Sequence, residues 1–291
     1  MSNVPRIGGQ AVIEGVMMRH GDRLAIAVRT PEQEIVVHEE KLVPAGQRFP
    51  VLKLPLLRGV VAFLEALVLG AKAITISANL AMPEEEEELS GWQLTLTVCV
   101  ALVFGIALFF FLPTFLLRLL NGVLPARPLL LNLLEGMVRL VVFLLYLVLI
   151  SRAQDIQRVF AYHGAEHKVI ACLEAGRELT PENAAGFTTL HPRCGTSFLL
   201  LVMTVSILLF TFFGWPSLWL RLLLRLLLLP LVAGISYELI RLAGRSRFFR
   251  SLTAPGLWLQ RLTTREPDRD QLEVAIKAVQ AVLAGAGESE V

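Results

Sequence analysis

Two histidines and a glutamate lie at the spacing of a metal hydrolase near the middle of the chain. They are His163, Glu166 and His167, within the segment YHGAEHK. On a helix, residues four apart stand one above the other, so the two imidazoles can bind one cation with the carboxylate beside them. The order H-x-x-E-H is typical of inverted zinc hydrolases, in which the glutamate is the general base. The stretch from about Asp155 to Gly176 is predicted to be helical, with Gly176 ending the helix.

The same segment also fits an ordinary packed helix face. Ile156, Phe160 and Ile170 share the helical stripe of the two histidines. In that alternative, the imidazoles are bonded to backbone groups or to Glu166 inside a core. The motif alone leaves both interpretations open.

Further candidate metal ligands follow in segments that the predicted topology places on the same membrane face. His191 and Cys194, in LHPRCGT, supply an imidazole and a thiol, and Glu238 lies near the end of the last predicted span. A carboxylate at that depth is costly unless it has a partner. Two ligand sets for a divalent metal, most simply zinc, remain open. His163, His167 and Glu238 with a water would form an open catalytic site, whereas His163, His167, His191 and Cys194 would form a closed structural one.

The N-terminal segment GGQAVIEGVMMR has residue types that could bind a substrate. Its glycines let the backbone approach a ligand closely, and Gln10, Glu14 and Arg19 are candidate substrate-binding residues. A tight turn with an ion pair is the alternative for these residues. Arg193 is a candidate catalytic residue, since either Arg193 or Arg19 could stabilise a developing anion.

Composition and hydropathy place much of the chain in lipid. Of its 291 residues, 55% are hydrophobic and 18% charged, and the mean hydropathy of +0.62 exceeds what a soluble globular domain tolerates. The net charge of +2, without a basic run carrying interleaved aromatics, predicts no nucleic-acid partner. The predicted fold class is a mainly α membrane protein with about four transmembrane helices, each near the roughly 20 residues that a bilayer requires. These spans are predicted at residues 92–117, 129–150, 197–215 and 218–240.

The regions before these spans are predicted to form a small domain and a docked helix. Residues 24–29 and 34–39 have the pattern of two strands joined by a turn, which predicts a cytosolic, β-rich N-terminal domain over residues 1–53. Residues 54–82 are apolar apart from three charged side chains spaced by seven, which therefore share one helical face. This pattern favours an interfacial or docked amphipathic helix over a span. Residues 83–91 are predicted to be an acidic linker.

Basic residues set the predicted orientation. Lys and Arg number seven up to Lys53, five in the loop of residues 151–196 and eight from Arg241 onward, against three on the opposite side. By the positive-inside rule, both termini and the loop face the cytosol, as in a multi-pass protein of a bacterial inner membrane. The tail, residues 244–291, is predicted to end in an amphipathic helix at 268–284. Three scattered cysteines are too few for a disulfide framework, which fits a reduced compartment.

Five motifs, in order, resemble the YqhQ-like family of bacterial membrane proteins. They are GGQAVIEGVMMR, YHGAEHKVI, LHPRCGTSF, SYELIR and LTTREPD, and the resemblance runs from about Gly8 to Ile276. The family has a domain of unknown function that is sometimes labelled a predicted metal-dependent enzyme, so the resemblance implies a metal site without supplying an activity. The positions that match recurrent family motifs are Gln10, Glu14, Arg19, Arg193, Cys194, Glu238 and Arg265.

The function expected from these patterns is a zinc-dependent hydrolase at the membrane surface, acting on a peptide or lipid-derived bond. Its metal would activate a water whose proton Glu166 accepts. The alternative is a non-enzymatic membrane scaffold or assembly factor in which His and Cys residues hold a structural metal. A transporter is a third hypothesis, suggested by Glu135 and Arg139 in the second span and by Arg221 and Arg225 in the fourth. Pairing along a helix and snorkelling would satisfy those charges without transport.

Overall fold

The computed structural model describes residues 7–83, 91–120, 127–243 and 247–284. The predicted acidic linker, with its run Glu84–Glu88, lies largely outside these residues. The described chain is mostly helical, with a four-stranded sheet near the N-terminus and five helices long and apolar enough to cross a membrane. The mainly helical fold class and the small N-terminal sheet are thereby confirmed, and the helices are compatible with a multi-pass membrane protein.

The sheet is antiparallel, with its strands in sequential order. The strands are β1 (Gly8–Val12), β2 (Gly15–His20), β3 (Arg23–Arg29) and β4 (Ile35–Lys41). Strands β3 and β4 agree with the two predicted from the sequence. Strands β1 and β2 come from the glycine-containing N-terminal motif and form a hairpin with a two-residue turn at Ile13 and Glu14.

Eight longer helices make up most of the rest of the described chain. They are α1 (Leu57–Leu80), α2 (Gly91–Leu119), α3 (Pro128–Ile150), α4 (Gln154–Glu174), α5 (Gly195–Phe210), α6 (Leu218–Ala243), α7 (Arg247–Thr263) and α8 (Arg269–Ala284). Short helical turns lie at Ala45–Arg48, Pro50–Lys53, Pro181–Ala185 and Thr211–Phe213. Helices α2, α3, α5 and α6 correspond to the four predicted spans, and α8 corresponds to the predicted amphipathic helix. Helix α7 has no counterpart in the sequence-based prediction.

Helices cover both faces of the sheet. Ala73 of α1 joins one apolar core with side chains of β1, β2 and β3, including Met17 and Ile26. On the opposite face, Tyr162 of α4 and Val279 of α8 belong to a second core with other side chains of β2 and β3. The N-terminal sheet therefore shares its hydrophobic core with the central segment and with the tail, and this places β1 next to the H-x-x-E-H motif on α4.

Helix α1 connects the end of α6 to the sheet. At its start, Arg58 forms an ion pair with Glu238, and Gly59 packs against Gly234 of α6. Near its other end, the Ser77 hydroxyl accepts a hydrogen bond from an N–H of the β1–β2 turn at 3.2 Å. The helix is thus docked on protein at both ends. Its length and composition would also suit a span, so its interfacial placement stays a prediction.

A buried charge cluster joins α2, α3 and α6. Glu135 is fully buried and accepts hydrogen bonds from Thr114 at 2.6 Å, Arg139 at 3.2 Å and Arg221 at 3.0 Å, and it also pairs with Arg225. The pairing of Glu135 with Arg139 along one helix agrees with expectation. Arg221 and Arg225 do not snorkel, since they are only 7% and 3% exposed and turn inward. Pairing inside the bundle therefore satisfies the buried carboxylate.

A proline accounts for an irregular segment in α2. Pro113 has no N–H to donate to the carbonyl of Phe109, four residues earlier, and the helix is π-helical over Ala107–Phe111. The Phe109 carbonyl instead accepts a hydrogen bond from Arg139 Nε at 2.9 Å. This bond fixes α2 against α3.

Helix α4 carries the H-x-x-E-H motif and ends where the sequence predicts. Gly176 has a φ of +65°, and its N–H donates to the Leu173 carbonyl at 2.9 Å. The next N–H, of Arg177, donates to the Cys172 carbonyl at 3.1 Å. This pair of bonds is the Schellman motif, in which glycine adopts the left-handed conformation at low cost.

Candidate metal centre

Three of the predicted metal ligands meet where α4 passes the start of α5. One donor atom each from His163, His167 and Cys194 lies within 4.8 Å of the other two. The histidines lie one turn apart on α4, and Cys194 is the N-cap residue of α5. Among the residues that the structure describes, this is the one group of three candidate donors so close together. It contains part of each predicted ligand set and all of neither.

Backbone carbonyls orient both imidazoles in the same way. His163 Nδ1 lies 2.8 Å from the Thr263 carbonyl oxygen, and His167 Nδ1 lies 2.5 Å from that of Thr189. Because a carbonyl can only accept, Nδ1 donates in each case and Nε2 carries the free lone pair. Histidines that bind metals are held in this manner by a partner on the other ring nitrogen. The Nε2 atoms are therefore the available ligands.

The two Nε2 atoms differ in their present partners. His163 Nε2 lies 3.1 Å from the Cys194 sulfur and can accept its thiol proton, whereas His167 Nε2 is buried without a hydrogen-bond partner among the described residues. Burial, with a smaller effect of His163, lowers the pKa of His167 to about 3. That imidazole is therefore neutral at physiological pH, which is the state that binds a metal.

Cys194 is placed to become a thiolate when a cation is near. Its sulfur accepts a hydrogen bond from the Thr196 N–H at 3.4 Å, at the N-terminus of α5. Burial raises the pKa of the Cys194 thiol, and the Thr196 contacts oppose that rise. A divalent cation would compensate for the desolvated negative charge of the thiolate, as it does in cysteine-containing metal sites.

Glu166 lies beside the cluster under strand β1. It is 6% exposed, and burial raises its pKa to about 7, an effect that the nearby His163 opposes. Its side chain packs on Gly9, where an added Cβ would come within 2.7 Å of Glu166 Cγ. A carboxyl group whose pKa is near neutrality suits general acid–base chemistry.

A pocket of about 720 Å³ opens onto this group. Strand β1 and helix α4 form two of its walls, and the loop before α5 forms a third. Its lining residues are Ile7, Gly8, Gly9, Gln10, Ala11, Ala66, Val159, Phe160, His163, Glu166, Ile170, His191, Arg193, Cys194, Gly195 and Thr196. The volume lies in the usual range of small-molecule sites.

The predicted N-terminal binding residues are separated by the structure. Gln10 lines the pocket, but Arg19 is not among its lining residues and forms an ion pair with Glu65 at 3.1 Å. Glu14 pairs with Arg158 and accepts a hydrogen bond from the Tyr162 hydroxyl at 3.3 Å. Glu14 therefore fixes the β1–β2 turn to α4, as the ion-pair alternative predicts.

The remaining candidate ligands lie around the group or away from it. The His191 ring centre is 5.5 Å from that of His167, and His191 Nε2 is 3.7 Å from a Glu174 carboxylate oxygen. Arg193 lines the pocket and also pairs with Glu174. Glu238 is engaged with Arg58, and the structure does not bring it to the histidines. The half-buried carboxylate near the end of the last span is thus paired with a guanidinium.

Several residues that position the site were not singled out from the sequence. Gln260 of α7 bonds the backbone N–H and carbonyl of His191, each at 2.8 Å, and so holds the loop that leads to Cys194. Gly164, inside the motif, lets the Arg265 backbone pass so closely that an added Cβ would overlap its carbonyl oxygen. A glycine between the two histidines of the motif was the sequence feature that could have predicted the close approach of another segment.

These features define a class: a largely helical protein with membrane-compatible helices and a His–His–Cys group beside a pocket. A family model described as "Protein of unknown function (DUF1385)" matches residues 54–285, and the chain belongs to this family. It is 34% identical to the uncharacterized protein YqhQ of Bacillus subtilis (strain 168), over 96% of this chain and 92% of that relative. The predicted YqhQ-like resemblance is confirmed. No solved structure matches the chain.

Proposed function

We propose that this protein is a metal-dependent hydrolase of the bacterial inner membrane, with a zinc site formed by His163, His167 and Cys194. One observation carries the proposal. Both imidazoles are fixed through Nδ1, His163 Nε2 lies 3.1 Å from the Cys194 sulfur, and His167 Nε2 is buried with no described partner. A buried polar atom without a partner is rare because it loses its hydration. Imidazole and thiolate donors together suit zinc.

The donor set favours catalysis because it holds only three protein ligands. Zinc sites with three protein ligands keep a fourth position for water or substrate, whereas structural sites are closed by four. When bound, such an ion lowers the pKa of a water and polarises a substrate carbonyl. Glu166, whose pKa is raised to about 7, is the base that accepts the proton of the attacking water.

The substrate would enter through the pocket at the membrane surface. Arg193 lines this pocket and Arg19 is not among its lining residues, so Arg193 is the better of the two candidate arginines for stabilising an anion. Gln10 is a further polar contact for the substrate. We take the substrate to contain a peptide or lipid-derived bond, and we place the pocket and both chain termini on the cytosolic side because basic residues concentrate there.

A non-enzymatic scaffold is the second candidate, and the position of His191 favours it. Its ring lies next to that of His167 and it is buried, so a modest shift could bring a fourth ligand to the metal. A metal with four protein ligands would tie the loop before α5 to α4 and contribute to folding rather than to chemistry. Assembly of other membrane components would then be the role.

Metal content decides whether the site exists. The protein is purified in detergent after growth with added zinc, and its zinc is measured by mass spectrometry. Wild type is expected to hold about one zinc per chain, and His167→Ala and Cys194→Ala to lose it. Glu238→Gln is the matched control, because Glu238 is also a candidate ligand but pairs with Arg58. It should retain zinc.

Two results would overturn the proposal. One is a wild-type protein that holds no more zinc than His167→Ala. The other is loss of zinc from Glu238→Gln with retention in Cys194→Ala, which would restore the ligand set containing the distant carboxylate.

A further inference from the structure

Among the residues that the structure describes, strand β1 lies at an open edge of the sheet and pairs with β2 alone. In antiparallel strands, the backbone groups of successive residues point alternately to one neighbour and to the other. The Arg29 N–H donates to the Glu14 carbonyl at 2.9 Å, just before β2 begins. With the register of β2 on β3, this bond means that even-numbered residues of β2 bond to β3 and odd-numbered residues bond to β1.

Two residues of β1 therefore turn their backbone groups away from the sheet. The β1 residues opposite the odd-numbered residues of β2 are Gly8, Gln10 and Val12. The N–H and C=O groups of Gly9 and Ala11 point outward, and no hydrogen bond to them occurs within the described chain. At the next outward position, Ile13, the N–H is already bonded to Ser77 of α1 at 3.2 Å. The open part of the edge thus ends where α1 covers it.

This open edge faces the candidate metal centre. Gly9 and Ala11 line the same pocket as His163 and Glu166. The Glu166 side chain packs directly on Gly9, so the free backbone groups of β1 begin beside the proposed base. Backbone donors and acceptors without partners are costly unless water or a ligand satisfies them.

We propose that the substrate is an extended peptide, which pairs with Gly9 and Ala11 as an added strand and so presents a carbonyl to the metal centre. The inference rests on the proposed hydrolase. Strand addition is a general mode of peptide recognition, in which main-chain hydrogen bonds hold the ligand. A lipid acyl chain has no groups that match the donors and acceptors of a strand. The position of the pocket at the start of α5 suits a segment of chain that lies at the membrane surface.

The reaction is peptide hydrolysis. The oxygen of a water forms a bond to the substrate carbonyl carbon, and the C–N bond breaks. Glu166 takes a proton from the water and gives it to the leaving nitrogen, so the products are a carboxylic acid and an amine. No oxidant, reductant or second substrate is required.

Three hydroxamates serve as probes because this group binds zinc without being cleaved. They are acetohydroxamate, a tripeptide carrying a C-terminal hydroxamate, and an acyl-chain hydroxamate of similar length. Binding of each to the zinc-loaded protein in detergent is measured by calorimetry. The tripeptide probe is expected to bind at least about tenfold tighter than acetohydroxamate, which corresponds to about 1.4 kcal/mol.

Two variants at one position separate strand pairing from general contact. Ala11→Pro removes an outward N–H that the sheet does not use, and proline is tolerated on an edge strand. It should abolish the tenfold advantage of the tripeptide while acetohydroxamate binds as before. Ala11→Ser keeps the N–H and should keep the advantage. If Ala11→Pro does not fold, hydrogen exchange of wild type decides: the tripeptide, and not acetohydroxamate, should protect the amides of Gly9 and Ala11.

The outcomes distinguish the two proposals. Failure of acetohydroxamate to bind would overturn the hydrolase and this inference with it. Binding of acetohydroxamate without a gain from the tripeptide, or a gain that survives in Ala11→Pro, would overturn strand addition and leave the metal centre in place. A larger gain from the acyl-chain probe would assign the pocket to a lipid.

Discussion

Replacing Glu166 with glutamine should make the metal-free protein more stable and should abolish the proposed hydrolase activity. In the folded protein, burial raises the pKa of Glu166 from 4.5 to about 7. When folding raises the pKa of a carboxyl group, its contribution to stability is complete at pH values below the unfolded-state pKa. This contribution is lost as the pH rises through the folded-state pKa, here about 7. The folded and unfolded pKa values differ by about 2.5, and each pKa unit corresponds to about 1.36 kcal/mol, so the free energy of unfolding falls by about 3 kcal/mol. Glutamine has nearly the same shape and cannot ionise, so Glu166→Gln avoids that loss.

The measurement is thermal unfolding of chelator-treated protein between pH 4 and pH 8. For a chain of this size, about 3 kcal/mol corresponds to a rise in Tm of roughly 6–12 °C at pH 8, and the difference should vanish near pH 4, where both side chains are neutral. Glu182→Gln is the control, because the Glu182 side chain is 64% exposed. Its Tm should follow wild type at every pH. Equal Tm values for wild type and Glu166→Gln at pH 8 would refute the description of Glu166 as a desolvated carboxyl group.

The same variant separates the hydrolase from the scaffold. Because Glu166 is not among the proposed ligands, Glu166→Gln should keep zinc. Because a positioned general base contributes a factor of about 10²–10⁴ in rate, the variant should fail to complement a strain lacking the gene. In a scaffold, the residue would only support a ligand, and its loss should cost on the order of tenfold in metal affinity. Loss of zinc, or normal complementation by this variant, would contradict the catalytic role.

Three further outcomes follow from the packing and the charge pattern. Gly164→Ala should lower Tm, because the added Cβ overlaps the Arg265 carbonyl oxygen and overpacking costs about 1–3 kcal/mol. Gly105→Ala is the control and should not lower Tm, since Gly105 has open space around it. Glu135→Gln should lower the free energy of unfolding by about 3–5 kcal/mol, because it leaves buried guanidiniums without their carboxylate. Thermal unfolding measures this loss, and the Glu182→Gln control should change little. In intact cells lacking other accessible cysteines, Arg177→Cys should not react with an impermeant thiol reagent from outside. Ready labelling would overturn the predicted topology.

Local periodicity determined much of the architecture. The helical spacing of His163 and His167 placed these two candidate ligands on one face of α4, and Gly176 marked the end of the helix, because both features depend on backbone geometry within a few residues. The apolar runs and the strand alternation likewise located the four predicted spans, helix α1 and the last two strands. Strands β1 and β2 were less apparent, since their short, glycine-containing runs carry a weak period-two signal.

Contacts between distant segments decided the site. Sequence offered Cys194 and Glu238 as competing ligands, and only the fold shows that the thiol approaches the histidines while the carboxylate is held by Arg58. The carbonyls that fix the imidazoles come from a loop and from the end of α7, and carbonyls are present on every residue, so no residue type marks them. The open edge of β1 depends on which strand lacks a neighbour and on which groups the register turns outward. Both are properties of the assembled sheet, because a single strand has the same backbone groups on its two sides.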